Sequence, residues 1–280
     1  MLARSLTHVS ILPLIVAAAL NGLALLLQAA RWQAVLQPAG PAPRFASTFF
    51  ALLSGFAASL ILPARGGEFV RVEYLARRSS LDRGTLIGSL AADHLVNGVT
   101  LVLLSLGLFA VPTPAWIRAS LAALVPLLLV MLGISFLVAR EPSTAPTHGW
   151  RTILLHLAAG LIGLRRPRTL AIATVWALAG WLVELTTTAL ALKAFGVDIG
   201  VAGTLIVLLA LNLALIVPSP PGNVGTFEVG TVLALVSLGV PRESAIAAAV
   251  GFHLVHVIPV ALAGALLSVA PTRSRDPIPL

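Results

Sequence analysis

The sequence predicts an all-α, polytopic integral membrane protein with about eight transmembrane helices. Hydrophobic residues make up 58% of the 280 positions and charged residues only 10%, against about 25% charge in a soluble domain. The mean hydropathy is +1.01, and a membrane-spanning helix needs about 20 apolar residues. So few charges cannot cover so many apolar side chains in water. This excludes a soluble globule, a disordered chain and an additional soluble catalytic domain.

Eight apolar runs define the predicted spans. The first lies at 9–28 and is too long for the apolar core of a signal peptide, so we expect it to remain uncleaved. The other seven lie at about 46–62, 84–110, 116–139, 169–195, 201–217, 226–240 and 245–270.

Polar and amphipathic segments separate some of these runs. Residues 63–83 form a basic amphipathic stretch, and residues 140–148 form a polar linker. Residues 150–164 are predicted to form an amphipathic helix in the membrane interface. Residues 1–270 are therefore predicted to form a single transmembrane domain, followed by a polar cytoplasmic tail at 271–280.

Lysine and arginine are unevenly distributed in this eight-span arrangement, with 13 on one face and five on the other. Because basic loops stay in the cytoplasm, both termini are predicted to be cytoplasmic, in a bacterial inner membrane. The net charge of +8 then indicates contact with anionic lipid headgroups rather than with nucleic acid. The absence of cysteine excludes disulfides, iron–sulfur clusters and thiolate zinc sites, and neither a cofactor nor a metal is expected.

The two halves of the chain resemble one another. The segment His94–Asn97 matches His253–His256, and Glu68 and Glu228 each follow a proline break. This pattern predicts half-repeats at 1–140 and 150–270. If all eight runs crossed the membrane completely, one rigid repeat could not relate both of these matches. We therefore expect a short segment around 46–62 or 226–240 to be re-entrant. Paired interrupted segments of this kind indicate a transporter binding site.

The first interrupted segment is Leu62-Pro63-Ala64-Arg65-Gly66-Gly67-Glu68-Phe69-Val70-Arg71. Proline ends a helix and the two glycines permit a tight turn. A helix that restarts at Gly67 would present free N–H groups to an anion, with Arg65 and Arg71 adding positive charge. The alternative is an ordinary basic loop in which Glu68 pairs with Arg71.

The second interrupted segment is Pro218-Ser219-Pro220-Pro221-Gly222-Asn223-Val224-Gly225-Thr226-Phe227-Glu228. Non-helical backbone at membrane depth persists only where it is buried in protein or lines a watery cavity. Thr226 is the expected cap of the following helix, and Glu228 would complement the helix dipole. The alternative is a surface turn between two spans.

Polar side chains inside the apolar runs are the third indication of a functional site within the membrane. An ionised side chain at the bilayer centre costs about 2.5–3.5 kcal/mol, so it usually faces a cavity or a partner. The alternative for each residue is a hydrogen bond to a neighbouring helix. Taken together, these residues predict a polar pathway that comprises Asp93, His94, Asn97, Glu184, Asn212, His253 and His256.

The two interrupted segments resemble the signature of the lysylphosphatidylglycerol synthase transmembrane-region family, a flippase-like membrane domain. Arg31-Trp32 and Trp181-Leu182-Val183-Glu184 also resemble family positions. The resemblance implies a lipid flippase or lipid transporter rather than an enzyme, since no synthase domain accompanies the spans. It implies a membrane lipid as substrate, either a phospholipid, a polyprenyl-linked glycolipid or a hopanoid. A homodimer and a lipid-synthesising enzyme remain open as protein partners.

In the resulting hypothesis, the first interrupted segment binds the lipid phosphate, and the second interrupted segment forms the opposite wall of the binding site. The predicted substrate-binding residues are Arg65, Gly66, Gly67, Glu68, Arg71, Pro218, Ser219, Pro221, Gly222, Gly225, Thr226 and Glu228, and no catalytic residue is assigned. Two other functions remain open at this point. One is an intramembrane metal-dependent hydrolase with Glu68, His94, His253 and His256 as ligands. The other is an accessory subunit of a membrane glycosyltransferase.

Overall fold

The computed structural model describes residues 10–63, 65–140 and 150–269, which form ten α-helices and no strand. Most of the predicted linker at 140–148 and all of the predicted tail at 271–280 lie outside these residues. The helices are α1 Ile11–Leu36, α2 Phe45–Ser59, α3 Gly66–Ala76, α4 Arg83–Ser105, α5 Ala115–Val138, α6 Trp150–Gly160, α7 Pro167–Ala194, α8 Gly200–Ala214, α9 Thr226–Ser237 and α10 Arg242–Val269. Short 3-10 helices occupy Gln37–Ala39, Leu106–Ala110, Ile162–Arg165 and Pro221–Asn223.

Five helices are long and apolar enough to cross a membrane: α1, α4, α5, α7 and α10. This confirms the predicted class, an all-α polytopic membrane protein. The predicted spans at 46–62, 201–217 and 226–240 are instead the short helices α2, α8 and α9, of 15, 15 and 12 residues. A helix of 15 residues rises about 22 Å, which is less than the roughly 30 Å of a hydrocarbon core.

The short helices form two antiparallel hairpins, α2–α3 and α8–α9. In the first, Gly55 of α2 lies against Gly67 of α3, so closely that a Cβ at Gly67 would come within 2.0 Å of the Gly55 carbonyl oxygen. In the second, Gly230 of α9 lies against Ala214 of α8. Only small residues allow two helix backbones to approach so closely, which explains the glycines at these positions.

The two halves of the chain run in opposite directions. The backbone N–H of Ser10, before α1, donates to the carbonyl oxygen of Ala194 at the end of α7, at 3.0 Å. At the other end, Val35 of α1 packs against Leu164 and Ala173 near the start of α7. The order long helix, short hairpin, long helix therefore occurs twice, as α1–α4 and as α7–α10, with inverted direction. Descent of the two halves from one ancestral repeat stays a prediction.

Two apolar clusters pack the helices together, and the larger of them spans both halves. The larger joins α1, α4, α5, α7, α8, α9 and α10, and its fully buried members include Leu192, Ile206, Leu208 and Phe252. The smaller joins α1, α3 and α4 through side chains that are almost inaccessible to solvent, Trp32, Leu36, Leu75 and Leu86. The hairpin α2–α3 is thereby fixed against α1 and α4 at the end where α1 terminates.

Helix α6 occupies the segment predicted to be an amphipathic interfacial helix. Trp150, Ile153 and Leu154 are exposed, whereas Gly160 packs against the backbone of α4, where an added Cβ would lie 2.2 Å from the Thr85 carbonyl oxygen. An exposed aromatic and aliphatic face on a helix with an adjacent arginine is typical of a helix at the membrane interface.

The hairpin α2–α3 gives a first prediction. Replacing Gly67 with alanine would place a methyl group 2.0 Å from the Gly55 carbonyl oxygen. We expect this overpacking to lower the free energy of unfolding by about 1–3 kcal/mol. Thermal unfolding of the purified protein in detergent measures the change. The control is Gly22→Ala in α1, where nothing lies within 4 Å of the new Cβ and stability should not fall. Equal stability of the two variants would contradict the hairpin packing.

Candidate functional site

A buried ion pair connects α1 to α4. The guanidinium of Arg31 donates to both carboxylate oxygens of Asp93, with Nε–Oδ1 at 2.8 Å and Nη2–Oδ2 at 3.1 Å. Its Nη1 donates to the side-chain oxygen of Asn97. Arg31 is 4% and Asp93 1% exposed. The acid predicted to line a polar pathway is thus the partner of a buried arginine, in the two-pronged geometry that suits guanidinium and carboxylate.

Arg71 of α3 extends this pair into a network. Its guanidinium carbon lies 3.9 Å from the centroid of the Trp32 ring, and its nitrogens lie 3.9 Å from Asp93 and from Glu68. Trp32 in turn donates from Nε1 to Ser89 Oγ at 3.0 Å. Such stacking of a cation on an aromatic face is favourable where both groups are desolvated. Arg71 therefore lies among the packed helices.

The other two charged residues of the first interrupted segment, Arg65 and Glu68, lie towards the surface of the molecule. Glu68 pairs with the half-exposed His94 at 3.2 Å. Arg65 adopts a left-handed backbone with φ at 61°, and its guanidinium donates to the carbonyl oxygen of Leu215 at 3.1 Å. Leu215 follows α8, so this hydrogen bond connects the tips of the two hairpins.

The second interrupted segment folds into a turn stabilised by its own polar groups. Ser219 Oγ donates to the side-chain oxygen of Asn223 at 2.6 Å, and Gly222 and Asn223 have left-handed backbones. The N-cap of α9 is Gly225 and not the predicted Thr226, because the Gly225 N–H donates to Glu228 Oε2 at 2.7 Å. Glu228 complements the start of the helix as predicted from its position.

Two histidines one turn apart in α10 each contact a carboxylate. His253 Nδ1 lies 2.6 Å from Oε1 of Glu228, and its Nε2 lies 2.9 Å from the carbonyl oxygen of Gly222. His256 Nε2 lies 2.8 Å from Oε1 of Glu184 in α7, and its Nδ1 lies 3.2 Å from the carbonyl oxygen of Phe252. These contacts connect α7, the α8–α9 hairpin and α10.

A cavity of about 290 Å³ lies between the two halves. Its wall is formed by residues of α1, α2, α4, α7, α8, α9 and α10 and of the turn before α9. The polar residues that line it are Asn21, Gln28, Arg31, Ser59, Asn97, Glu184, Asn212, Asn223, His253 and His256. Leu25, Leu60, Val257 and Val260 are among the apolar residues of the wall. Trp181 also lines it and donates from Nε1 to the carbonyl oxygen of Asn97 at 3.0 Å.

The structure divides the sequence-predicted site residues into two groups. Those that line the cavity are Asn97, Glu184, Asn212, Gly222, His253 and His256. Those outside the cavity wall are Arg65, Gly66, Gly67, Glu68, Arg71, Asp93, His94, Pro218, Ser219, Pro221, Gly225, Thr226 and Glu228. Of these, Arg65, Asp93, Ser219 and Glu228 form hydrogen bonds with wall residues, and Pro221 and Thr226 precede wall residues in the sequence.

Sequence reasoning missed Asn21, Gln28, Arg31 and Asn223 as members of the cavity wall. A signal for two of them exists, because Asn21 and Gln28 are seven residues apart in an otherwise apolar run. Residues two helical turns apart share a face, and a polar pair there indicates a helix that turns one side away from lipid.

The basic end of the first hairpin carries an exposed acid. Glu73 accepts hydrogen bonds from Arg83 and Arg77 at 2.7–3.0 Å, and these bonds, that from Arg83 first, lower the pKa of Glu73 to about 2. Glu73 therefore stays ionised under all physiological conditions. It resembles Asp93 in bridging two arginines but differs from it in being open to solvent.

Five long apolar helices, two inverted hairpins and a polar cavity at their junction define a polytopic membrane protein with an internal polar site. The chain belongs to the lysylphosphatidylglycerol synthase transmembrane-region family, whose model, described as Lysylphosphatidylglycerol synthase TM region, matches residues 1–264. Membership confirms the resemblance seen in the two interrupted segments and indicates a lipid-related function. None of the curated proteins compared with the chain matches it.

The buried network predicts a strong effect of Asp93→Asn. The change leaves Arg31 and Arg71 charged in a dry environment, and breaking one side of a buried pair costs about 3–5 kcal/mol. We expect a large fall in the midpoint of thermal unfolding. Glu73→Gln is the matched control, since it also removes an acid between two arginines, and there we expect no measurable change. Similar behaviour of the two variants would contradict a stabilising role for the Arg31–Asp93 pair.

Proposed function

We propose that the protein translocates a membrane lipid, with the lipid headgroup passing through the cavity between the two halves. The observation that carries the proposal is a polar cavity inside an assembly whose outer surface is apolar. Polar and ionisable groups within membrane helices are costly unless they serve a pathway or a partner. The cavity of about 290 Å³ is at the lower end of the size range of ligand pockets, which suits a headgroup whose acyl chains remain in the bilayer.

The chemistry of the wall favours a phosphate-bearing or glycosylated headgroup. Among the described residues that line the cavity, Arg31 is the only arginine or lysine. A guanidinium has five N–H donors, and three are occupied by Asp93 and Asn97, so two remain for a phosphate oxygen. Side-chain amides such as Asn21 and Gln28 can both donate and accept, which suits hydroxyl groups.

We further propose that the basic face of the molecule is cytoplasmic. Exposed arginines gather at the end where α3, α5 and the α6–α7 connection meet, namely Arg77, Arg78, Arg140, Arg151 and Arg168. The opposite end carries Arg118, Lys193 and Arg242. If both hairpins return to the face they start from, the chain crosses the membrane five times, and its termini lie on opposite faces. The eight-span arrangement would place both termini in the cytoplasm.

The two topologies predict different accessibility for one position. The chain has no cysteine, so single-cysteine variants at the exposed Ser10, Ser80 and Ser237 can be labelled with a membrane-impermeant maleimide in intact cells. Both topologies place Ser80 in the cytoplasm and Ser237 outside. Five spans place Ser10 outside with Ser237, because Ser10 lies beside the end of α7, whereas eight spans place it with Ser80. Labelling of Ser237→Cys without Ser10→Cys would overturn the five-span proposal.

The other two functions receive less support. Within the described ranges no group of three or more histidine, aspartate or glutamate side chains converges on a point where a metal could bind. Glu68 pairs with His94, whereas His253 and His256 pair with different acids, so the ligand set required by a hydrolase is divided. Zinc in stoichiometric amount in the purified protein would favour the hydrolase, and copurification with a glycosyltransferase would favour the accessory subunit.

Blocking the cavity tests the proposed function. Gly180 lines the cavity and has open space where a Cβ would lie, so we expect Gly180→Leu to narrow the cavity. The measurement is the rate at which fluorescent phosphatidylglycerol, or a fluorescent polyprenyl-phosphate sugar, changes leaflets in proteoliposomes. We expect a fall of at least about tenfold, because a loss of 1.4 kcal/mol in the bound state already has that effect.

The control is Gly133→Leu in α5, which adds the same side chain at a position with equally open surroundings outside the cavity. Wild-type transport by both variants would contradict the cavity as the route of the headgroup. Equal loss in both variants, with equal loss of thermal stability, would point to folding as the cause.

A further inference from the structure

His253 and His256 share an arrangement that restricts where their protons can be. Each ring has one nitrogen at a backbone carbonyl oxygen, Gly222 for His253 and Phe252 for His256. Each has its other nitrogen at a carboxylate oxygen, of Glu228 at 2.6 Å and of Glu184 at 2.8 Å. The side chains of His253 and Glu228 are 8% and 25% exposed, and those of His256 and Glu184 are 24% and 18% exposed, so all four are largely removed from solvent.

A carbonyl oxygen can only accept a hydrogen bond, so the ring nitrogen that faces it must carry a proton. A neutral imidazole would then present a lone pair to the carboxylate, and two acceptors cannot face each other at these distances without a proton between them. Each pair must therefore contain one further proton, either on the ring as imidazolium beside carboxylate or on the acid beside neutral imidazole. Both forms leave the pair electrically neutral, and loss of the proton leaves it anionic.

The surroundings support proton binding by the two pairs. The Phe227 ring stacks on His253 with centroids 4.3 Å apart, and the Phe252 ring meets His256 edge to face at 4.9 Å. The electron-rich face of Phe227 favours a neighbouring cation, which supports a proton on His253.

Charged groups around the pairs are few. The described cavity wall contributes only Arg31 from α1, which Asp93 of α4 neutralises, and Glu184 from α7. The described wall residues of α2 and α8 are uncharged, and Glu228 is the acid that α9 supplies. In the part of the wall that the structure describes, no other charge could replace the proton in neutralising the two acids.

We propose that these two histidine–glutamate pairs are proton-binding sites and that lipid translocation is coupled to the protons they carry. Both partners of His253 belong to the α8–α9 hairpin and its turn, so displacement of that hairpin from α10 separates His253 from the acid and from the carbonyl together. The pair then exchanges its proton with water on one face of the membrane and regains one from the other face. Only N–H and O–H bonds change, and the proton is the only species gained and lost. This inference rests on the proposed function, because coupling requires a lipid that moves.

The first experiment examines the protons without transport. Histidine nitrogen NMR of the whole protein in nanodiscs at neutral pH reports whether each ring nitrogen carries or shares a proton, with His253→Gln and His256→Gln assigning the signals. We expect both nitrogens of both rings to be protonated or to share a proton. Glu228→Gln should shift only the His253 signals and Glu184→Gln only the His256 signals. Neutral rings with one unshared nitrogen, unaffected by these variants, would overturn the proton sites.

The second experiment measures coupling in proteoliposomes that contain fluorescent phosphatidylglycerol or a fluorescent polyprenyl-phosphate sugar, with a pH difference across the bilayer. We expect the leaflet distribution of the transported probe to shift by about tenfold per pH unit for each coupled proton. Glu184→Gln and His256→Gln should each remove the part of this shift that the His256 pair carries, and Glu228→Gln and His253→Gln the part that the His253 pair carries. The matched control is His156→Gln. His156 and Asp82 form a histidine–carboxylate pair on the molecular surface, with Nδ1 and Oδ1 2.9 Å apart. Removing this pair should leave the pH-dependent shift unchanged.

The possible outcomes separate the two proposals. A wild-type protein that moves a probe but leaves its distribution insensitive to the pH difference would overturn coupling while the proposed function stands. A protein that moves neither probe would overturn the proposed function for these lipids, and the NMR result would then decide whether the pairs bind protons. Loss of the shift in His156→Gln as well would also overturn the assignment to the two pairs.

Discussion

The arginine–carboxylate pair between α1 and α4 is the interaction on which the remaining structure depends. A membrane offers no water to solvate a buried charge, so Arg31 is tolerable only while Asp93 neutralises it. The pair sets how α1 and α4 lie together, and Arg71 then stacks on Trp32 beside the same acid, which fixes the first hairpin. The cavity lies where this network ends, because Asn97 and Arg31 belong both to the network and to the wall.

The two hairpins divide two tasks between inverted halves of the chain. The first hairpin is fixed by the network of arginines and acids outside the cavity wall. It contributes mainly apolar residues to that wall, such as Leu60. The second brings its turn, at Gly222 and Asn223, to the cavity and places Glu228 against α10. One half thus provides a buried arginine–carboxylate pair, whereas the other provides two histidine–glutamate pairs. This asymmetry distinguishes the halves despite their shared order of helices.

Composition was sufficient to predict the membrane class and the all-α fold, and proline with glycine located both hairpin turns, because these signals are local. The family could likewise be recognised from the two interrupted segments. The hairpins themselves were harder to predict, since the apolar runs that form α2, α8 and α9 resemble spans until their lengths are compared with a bilayer. The role of Asp93 could not be predicted, because the partner that neutralises it is 62 residues away in the chain. From the sequence, Arg71 likewise resembles a residue that binds phosphate. Only the packed structure shows that its guanidinium stacks on the Trp32 ring.

The contact between Arg65 and the carbonyl oxygen of Leu215 has a consequence for motion. It joins the hairpin tips through a single hydrogen bond at an exposed position, and such a bond contributes about 0.5–1.5 kcal/mol. Arg65 also has a left-handed backbone, which costs a non-glycine residue energy that release of the turn would recover. This hydrogen bond alone therefore contributes little to holding the tips together. A ligand that contacts both hairpins needs only a modest preference for separated tips to outweigh this bond.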